Sequence, residues 1–186
     1  ARRGSRGGGT RRLSRRVAPD HGLRLYPAHL ERRIQYAIEQ GMAPTMVVAT
    51  VGTTATTAVD PVAEISEICR KYGVWLHVDS AHAGTAAIVP EMRWIHEGVE
   101  NADSFTFNPH KWMFVGFDCN AFWVKDRQVL VKALSVLPEY LRNEATESGK
   151  VIDYRDWHIP LGRRFRALKL WFVMRSYGSE GLKKLI

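Results

Sequence analysis

The chain has 186 residues, 45% hydrophobic and 25% charged, fractions that fit a globular protein and exclude a disordered, collagen-like or disulfide-built chain. No apolar run approaches the roughly 20 residues a membrane span needs, and two cysteines, Cys69 and Cys119, are too few for a disulfide framework, so a reducing, cytoplasmic compartment is expected. The net charge of +8 comes almost wholly from residues 1–19, which hold seven arginines and no acid; setting these aside leaves 20 basic against 19 acidic residues. A nearly neutral body argues against a nucleic-acid-binding domain, whose basic residues line a folded face.

Residues 1–22 are low in complexity, with Gly7-Gly8-Gly9 between arginine pairs, and are expected to form a disordered Arg/Gly-rich tail. An acid-free, Arg-rich start also has the composition of an organelle transit peptide or of a nucleic-acid-binding arm; a solvated or artefactual tail is the simpler reading. From residue 23 to 186 the texture is that of a folded domain. Pro27–Gln40 carries Leu30, Ile34, Tyr36 and Ile38 with Gly41 behind it, which predicts an amphipathic helix with a glycine stop. Thr45–Val51 is a continuous β-rich apolar run, as in strands buried on both faces of a parallel sheet. Asp60 is a candidate N-cap, and Pro61 a first-turn residue, for a helix reaching Tyr72. Val74–Val78 predicts a second buried strand, ending at Asp79. A short helix at Glu91–Glu97 follows, then strands at Ser104–Phe107 and Asn120–Val124. Pro138–Asp153 predicts a long loop, and Leu161–Tyr177 a helix ending near Gly178. Strands alternating with helices predict an α/β architecture, a mostly parallel sheet flanked by helices.

Open parallel sheets place their chemistry beyond the carboxyl ends of the strands. Three segments therefore matter most: Gly52-Thr53-Thr54, Asp79 to Gly84, and Asn108 to Trp112. Asp79 ends an apolar strand, where a carboxylate must be paired or hydrogen-bonded; capping the turn Ser80-Ala81-His82 is its plain structural use. Lys111 lies between an imidazole and an indole, and desolvation there turns an amine into a usable nucleophile; an exposed lysine is the plain alternative. An amine able to form a Schiff base, with a buried carboxylate nearby, is what pyridoxal phosphate requires. His77, Asp79 and His82 also permit a metal reading, which a strand leading into a helical turn does not require. Arg163, Arg164 and Arg166 fit a helix face paired with acids, and Cys69 a buried, inert thiol.

Three motifs carry a resemblance. His77-Val78-Asp79-Ser80-Ala81-His82-Ala83-Gly84, Asn108-Pro109-His110-Lys111-Trp112 and Leu161-Gly162-Arg163-Arg164-Phe165-Arg166 resemble the group II pyridoxal-phosphate decarboxylases, nearest to the aromatic L-amino-acid decarboxylases. The similarity runs from Tyr26 to Ile186. It implies part of the large domain, its second half, of the aspartate-aminotransferase-like fold, incomplete at both ends. It implies pyridoxal 5'-phosphate as cofactor and conversion of an aromatic L-amino acid to its amine and carbon dioxide. By resemblance, Lys111 forms the Schiff base, Asp79 pairs with the pyridinium nitrogen, Ala81 lies against one ring face, and Thr54 sits near the cofactor. Asn108 and His110 flank the phosphate or the lysine.

The same likeness gives Tyr140, in Pro138-Glu139-Tyr140-Leu141, the role of proton donor to the α-carbon. It would act from a loop reaching the neighbouring subunit of a homodimer. Relatives with phenylalanine there tend to produce aldehydes, so Tyr140 favours simple decarboxylation. Gly162 matches a position linked to indolic against phenolic substrates. Ser80 and His82 depart from the family's usual Asp-Ala-Ala-Tyr-Ala-Gly, and His82 is a further candidate for tuning the substrate pocket. An aldehyde synthase, a decarboxylase of another amino acid, and a non-catalytic truncated remnant are the alternatives. No metal, nucleic acid or membrane partner is expected. Half of a sheet on its own is expected to expose apolar faces and edges.

Overall fold

The structure is a computed structural model that describes residues 15–135, 148, 152, 154–160 and 162–186. Residues 15–22, inside the stretch expected to be a tail, carry built structure. Pro19 bridges to Leu25, and the Asp20 carboxylate accepts from the Gly22 and Arg24 amides. Val17 packs against the core. Residues 1–14 lie outside the described residues.

Four strands form one sheet in sequence order: β1 Met46–Thr50, β2 Trp75–Asp79, β3 Ser104–Phe107 and β4 Ala121–Val124. The first three are parallel and β4 is antiparallel to β3. The mostly parallel sheet flanked by helices is thus as expected. In the register, Thr50 pairs with Asp79 and Asp79 with Thr106. Parallel neighbours need a crossover, and two are built here from helical segments. Helix α1, Pro27–Glu39, opens on its proline. Helix α2, Val62–Tyr72, links β1 to β2 and ends at Gly73 in the left-handed conformation that glycine adopts without strain. The β2–β3 crossover is made of 3-10 turns at Ala83–Ile88, Pro90–His96 and Val99–Asn101, where an α-helix was expected over Glu91–Glu97. Gly98 explains part of the difference: its φ is +85°, and an added Cβ would lie 2.5 Å from the Ala63 backbone, so the segment is pinned against α2 before a helix can lengthen. Helix α3 is the single turn Pro109–Trp112, α4 spans Arg127–Leu134, and α5 spans Arg166–Leu185 with a kink at Gly178.

The core lies on one face of the sheet. Val47, Ala49, Leu76 and Val78 meet Leu30 and Ile34 of α1 and Val62, Ile65 and Cys69 of α2, with Ala83, Ala86 and Ile95 from the 3-10 turns. Fully burying the valine, leucine and isoleucine side chains among these stabilises by roughly 1.5–3 kcal/mol each. The opposite face is open. Burial alternates along β1 and β2, and Met46, Val48 and Phe122 on the open face are 57%, 48% and 49% exposed. The expectation of strands buried on both faces is therefore corrected: among the described residues, nothing covers the second face. Asp60 is corrected too. It does not cap α2, whose N-cap is Pro61 with no side-chain bond; its carboxylate instead accepts from the Leu25 amide at 2.6 Å and the Thr50 amide at 2.7 Å. Among the described residues, no helix is long and apolar enough to cross a membrane.

Candidate active site

The open face and the carboxyl ends of the strands meet at Asp79. Side chains alternate along a strand, so Asp79 shares its face with Trp75 and His77, while Leu76 and Val78 point into the core. Asp79 is half-buried and its Oδ1 accepts from the Ala81 amide at 3.0 Å. That is an Asx-type turn, the plain capping use of this residue. Oδ2 has no hydrogen-bond partner among the described residues.

The three segments singled out by the sequence come together here. The Val51 amide donates to the Asp79 carbonyl, the Ser80 amide to Thr106 O, and the Asn108 amide to Ala81 O, each at 2.9 Å. Glycines allow the closest approaches. At Gly52, where φ is +77°, an added Cβ would stand 2.6 Å from Ala83 Cβ; at Gly84 it would stand 2.3 Å from Phe107 Cβ. The loop after β1 thus rests on the loop after β2, and the latter on the end of β3. The His82 ring stacks on the Trp112 indole, with centroids 5.1 Å apart and 10° between planes. His82 follows Asp79 by three residues and Trp112 follows Lys111 by one. The turns that carry the acid and the amine are therefore in contact, at the same end of adjacent strands.

Lys111 sits on the α3 turn and is exposed, and its amine has no acceptor among the described residues. The expected desolvation between an imidazole and an indole is not found. Trp112 turns to His82, and the His110 ring turns to Cys119, whose amide donates to Nδ1 at 2.9 Å, and to the edge of Phe117. Asn108 Oδ1 accepts from the Asn120 side chain. Thr54 is exposed at the tip of the loop after β1, a loop closed by the Gly52 and Thr53 amides on Ala58 O. Tyr140 falls outside the described residues. Gly162 is exposed, and a Cβ there would meet nothing within 4 Å.

The arginine motif around Gly162 is tied to the segment after Lys111. Arg164 and Arg166 both pair with Asp118, at 2.7 and 2.9 Å, and Lys169 donates to Gly116 O. The Arg166 hydrogen bonds hold the Asp118 carboxyl down at about 2. Burial pushes the Cys69 thiol up to about 11, and also raises Cys119, so neither is an activated nucleophile.

Sequence reasoning missed two polar groups near Asp79. On its own face, Ser104 Oγ accepts from the Trp75 indole at 2.9 Å and lies 2.8 Å from His77 Nδ1; burial lowers the His77 pKa, with nearby Asp79 opposing. On the opposite side, buried Ser80 bonds buried His96 at 2.9 Å. The strand alternation placing His77 with Asp79 was legible; the partners from Ser104 and His96 were not.

Comparison with known proteins gives concordant matches. The pyridoxal-dependent decarboxylase conserved domain matches residues 10–186. Tyrosine decarboxylase 4 of Petroselinum crispum is 52% identical over 164 residues, covering 88% of this chain and 32% of that protein. Phenylacetaldehyde synthase of a Rosa hybrid cultivar is 53% identical over 165 residues, covering 89% and 32%. The crystal structure of Oryza sativa TDC with PLP and tryptamine superposes with a TM-score of 0.88 at 40% identity, covering 98% of this chain and 38% of that one. The chain spans about a third of the length of the curated relatives it matches. Its fold is that of these decarboxylases, the aminotransferase-like fold.

Proposed function

The chain belongs to the pyridoxal-dependent decarboxylase family, and we propose that the protein it forms converts an aromatic L-amino acid to the corresponding amine and carbon dioxide. The observation that carries the reading is the contact between the Asp79 and Lys111 turns at the carboxyl ends of β2 and β3. The residues present fit pyridoxal phosphate. Among the described residues, the Asp79 Oδ2 and the Lys111 amine have no partners, and the turns that carry them meet through the His82–Trp112 stack and the Asn108 amide on Ala81 O.

When bound, the cofactor supplies an electron sink for the bond to the departing carboxylate. Lys111 would hold it covalently through Nζ, release it to the incoming amino group, and take it back when the product leaves. Asp79 would hold a proton on the ring nitrogen, with the Ala81 amide fixing Oδ1 so that Oδ2 faces that nitrogen. Ala81 would present its methyl to one ring face. Asn108, His110 and Thr54 would line the cofactor's margin. Tyr140 would return a proton to the α-carbon in the neighbouring subunit of a homodimer, and Gly162 and His82 would bear on which side chain is accepted. A cytoplasmic location is part of the proposal, supported by two cysteines that are free and buried.

Two specific observations keep other readings open to test. A phenylacetaldehyde synthase is as similar as the tyrosine decarboxylase, and the open sheet face favours a chain that binds nothing by itself. Adding pyridoxal phosphate, reducing with borohydride and mapping the label by mass spectrometry tests the core of the proposal. A label on Lys111, lost in Lys111→Ala, is the expected result; a folded chain with no label overturns it. Amine without hydrogen peroxide or aldehyde from tyrosine, DOPA or tryptophan is the expected product pattern. Aldehyde with hydrogen peroxide would favour the synthase.

A further inference from the structure

Ser80 follows Asp79, and the alternation of the chain turns it away from the open face into the packed layer. It is fully buried and held at every polar atom. Its amide donates to Thr106 O at 2.9 Å, its carbonyl accepts from the Gly84 amide at 2.8 Å, and its hydroxyl bonds His96 Nε2 at 2.9 Å. His96 comes from the far end of the 3-10 segment Pro90–His96, 16 residues away. It is 8% exposed, its ring meets Phe105 edge-on at 6.1 Å, and its Nδ1 is buried with no hydrogen-bond partner among the described residues. Burial lowers its pKa. A buried ring with one nitrogen unsatisfied is costly, and an apolar side chain would fill the same space without that cost. Among the described residues, its side-chain hydrogen bond is to the residue next to Asp79.

We propose that His96, through Ser80, is a positioning residue for Asp79: it pulls the strand end into the packed layer and so fixes where the carboxylate stands on the open face. The role rests on the proposed function for its purpose, but the geometry it sets is a property of the chain alone. With the clamp in place, the Asp79–Ala81 turn has one conformation. Without it, the turn keeps its backbone bonds to Thr106, Val51, Gly84 and Asn108 and the His82–Trp112 stack but no side-chain tie into the packed layer at Ser80, and Asp79 Oδ1 loses its fixed approach to the Ala81 amide.

The test uses the full chain with His96→Leu, His96→Gln and the double variant Ser80→Ala/His96→Leu. The double variant removes both polar partners and is expected to fold with near-native stability. Hydrogen exchange at the Ala81 amide is read against that of Val78 in the strand. His96→Leu and the double variant should speed Ala81 exchange about tenfold with Val78 unchanged, and His96→Gln, which keeps a polar group facing Ser80, should restore protection. The dissociation constant for pyridoxal phosphate should rise three- to tenfold in the same two variants. The 15N signal of the labelled ring nitrogen should move toward its unprotonated position, a change that loss of global stability does not produce. Ala81 protection at the wild-type level in both variants overturns the proposal. If the wild-type chain takes up no cofactor while Ala81 still responds, the functional reading fails and the positioning role stands.

Discussion

Gly84→Ala is the sharpest probe of how the site is assembled. The φ of Gly84 is not in the left-handed region, so the substitution tests space alone. The new Cβ would stand 2.3 Å from Phe107 Cβ and 3.0 Å from its Cγ. A Cβ cannot rotate away as the tip of a long side chain can, so backbone must move, and the loop after Asp79 has to part from the end of β3. Overpacking of this kind costs typically 1–3 kcal/mol. At about 2 kcal/mol, and a urea dependence of about 2 kcal/mol per molar, the unfolding midpoint should fall by about 1 M. In a chain of this size the melting temperature should fall by about 4–8 °C. Gly116→Ala is the control, because a Cβ there meets nothing within 4 Å, and it should stay within about 0.5 kcal/mol of wild type. The Asn108 amide should also lose protection against exchange in Gly84→Ala, since it bonds Ala81 O across the same seam. Wild-type stability and protection in Gly84→Ala would refute the view that this contact holds the two turns together.

Asp118 titrates low because Arg166 and Arg164 hold it as the anion, so its folded pKa lies below its unfolded value. Its contribution to stability is present above the unfolded value of about 3.9 and is lost as pH falls through about 2. Denaturation followed from pH 5 to pH 2 should show a steeper loss in the wild type than in Asp118→Asn; parallel curves would count against the pairing. Asp60→Ala leaves the Leu25 and Thr50 amides without their acceptor, and with two charge-accepted bonds gone it should cost about 3 kcal/mol or more by urea denaturation. Cys69, with its thiol raised to about 11 by burial, should react with a thiol reagent at pH 8 only after unfolding in denaturant; rapid reaction of the native chain would contradict its burial.

What the sequence made legible was local. Ser104–Phe107 forms a strand with the expected bounds, and Pro27 opens a helix that stops just before Gly41, whose φ is +70°, because alternation, proline and glycine act through the residue's own backbone. The motif residues also fall where the topology requires, since the carboxyl end of a strand is fixed once the strand is. What could not be read depends on distant partners. Asp60 before Pro61 has the composition of a helix cap, yet its acceptors are used 10 and 35 residues away. Gly178 has the look of a stop, but α5 continues beyond it to Leu185 through a kink. Helix α4 was missed although Asp126 caps it, accepting from the Gln128 amide, which was a readable signal. The exposure of Lys111 was the instructive error. Flanking aromatic residues do not desolvate an amine when their rings are drawn to other partners, and His82 and Cys119 lie far off in sequence.

The two central side chains are held in unlike ways, and the difference suits the proposed chemistry. Asp79 is fixed by strand register on both sides, by the amide of Ala81, and by the buried Ser80 beneath it. Among the described residues, Lys111 is fixed at its backbone alone. The α3 turn is anchored by the fully buried Pro109 and by Trp112 against His82, while the lysine's own four-carbon stem runs into open space. An acid that must keep one proton on one ring nitrogen gains from rigidity, because any drift weakens a charge-assisted hydrogen bond that depends on distance and angle. An amine that must hold a group, give it up to substrate and take it back gains from reach. Stiffening the amine by replacing Pro109 or Trp112 contacts would therefore be the wrong lever, whereas loosening the acid, through Ser80, His96 or Gly84, strikes the part of the site that has no slack.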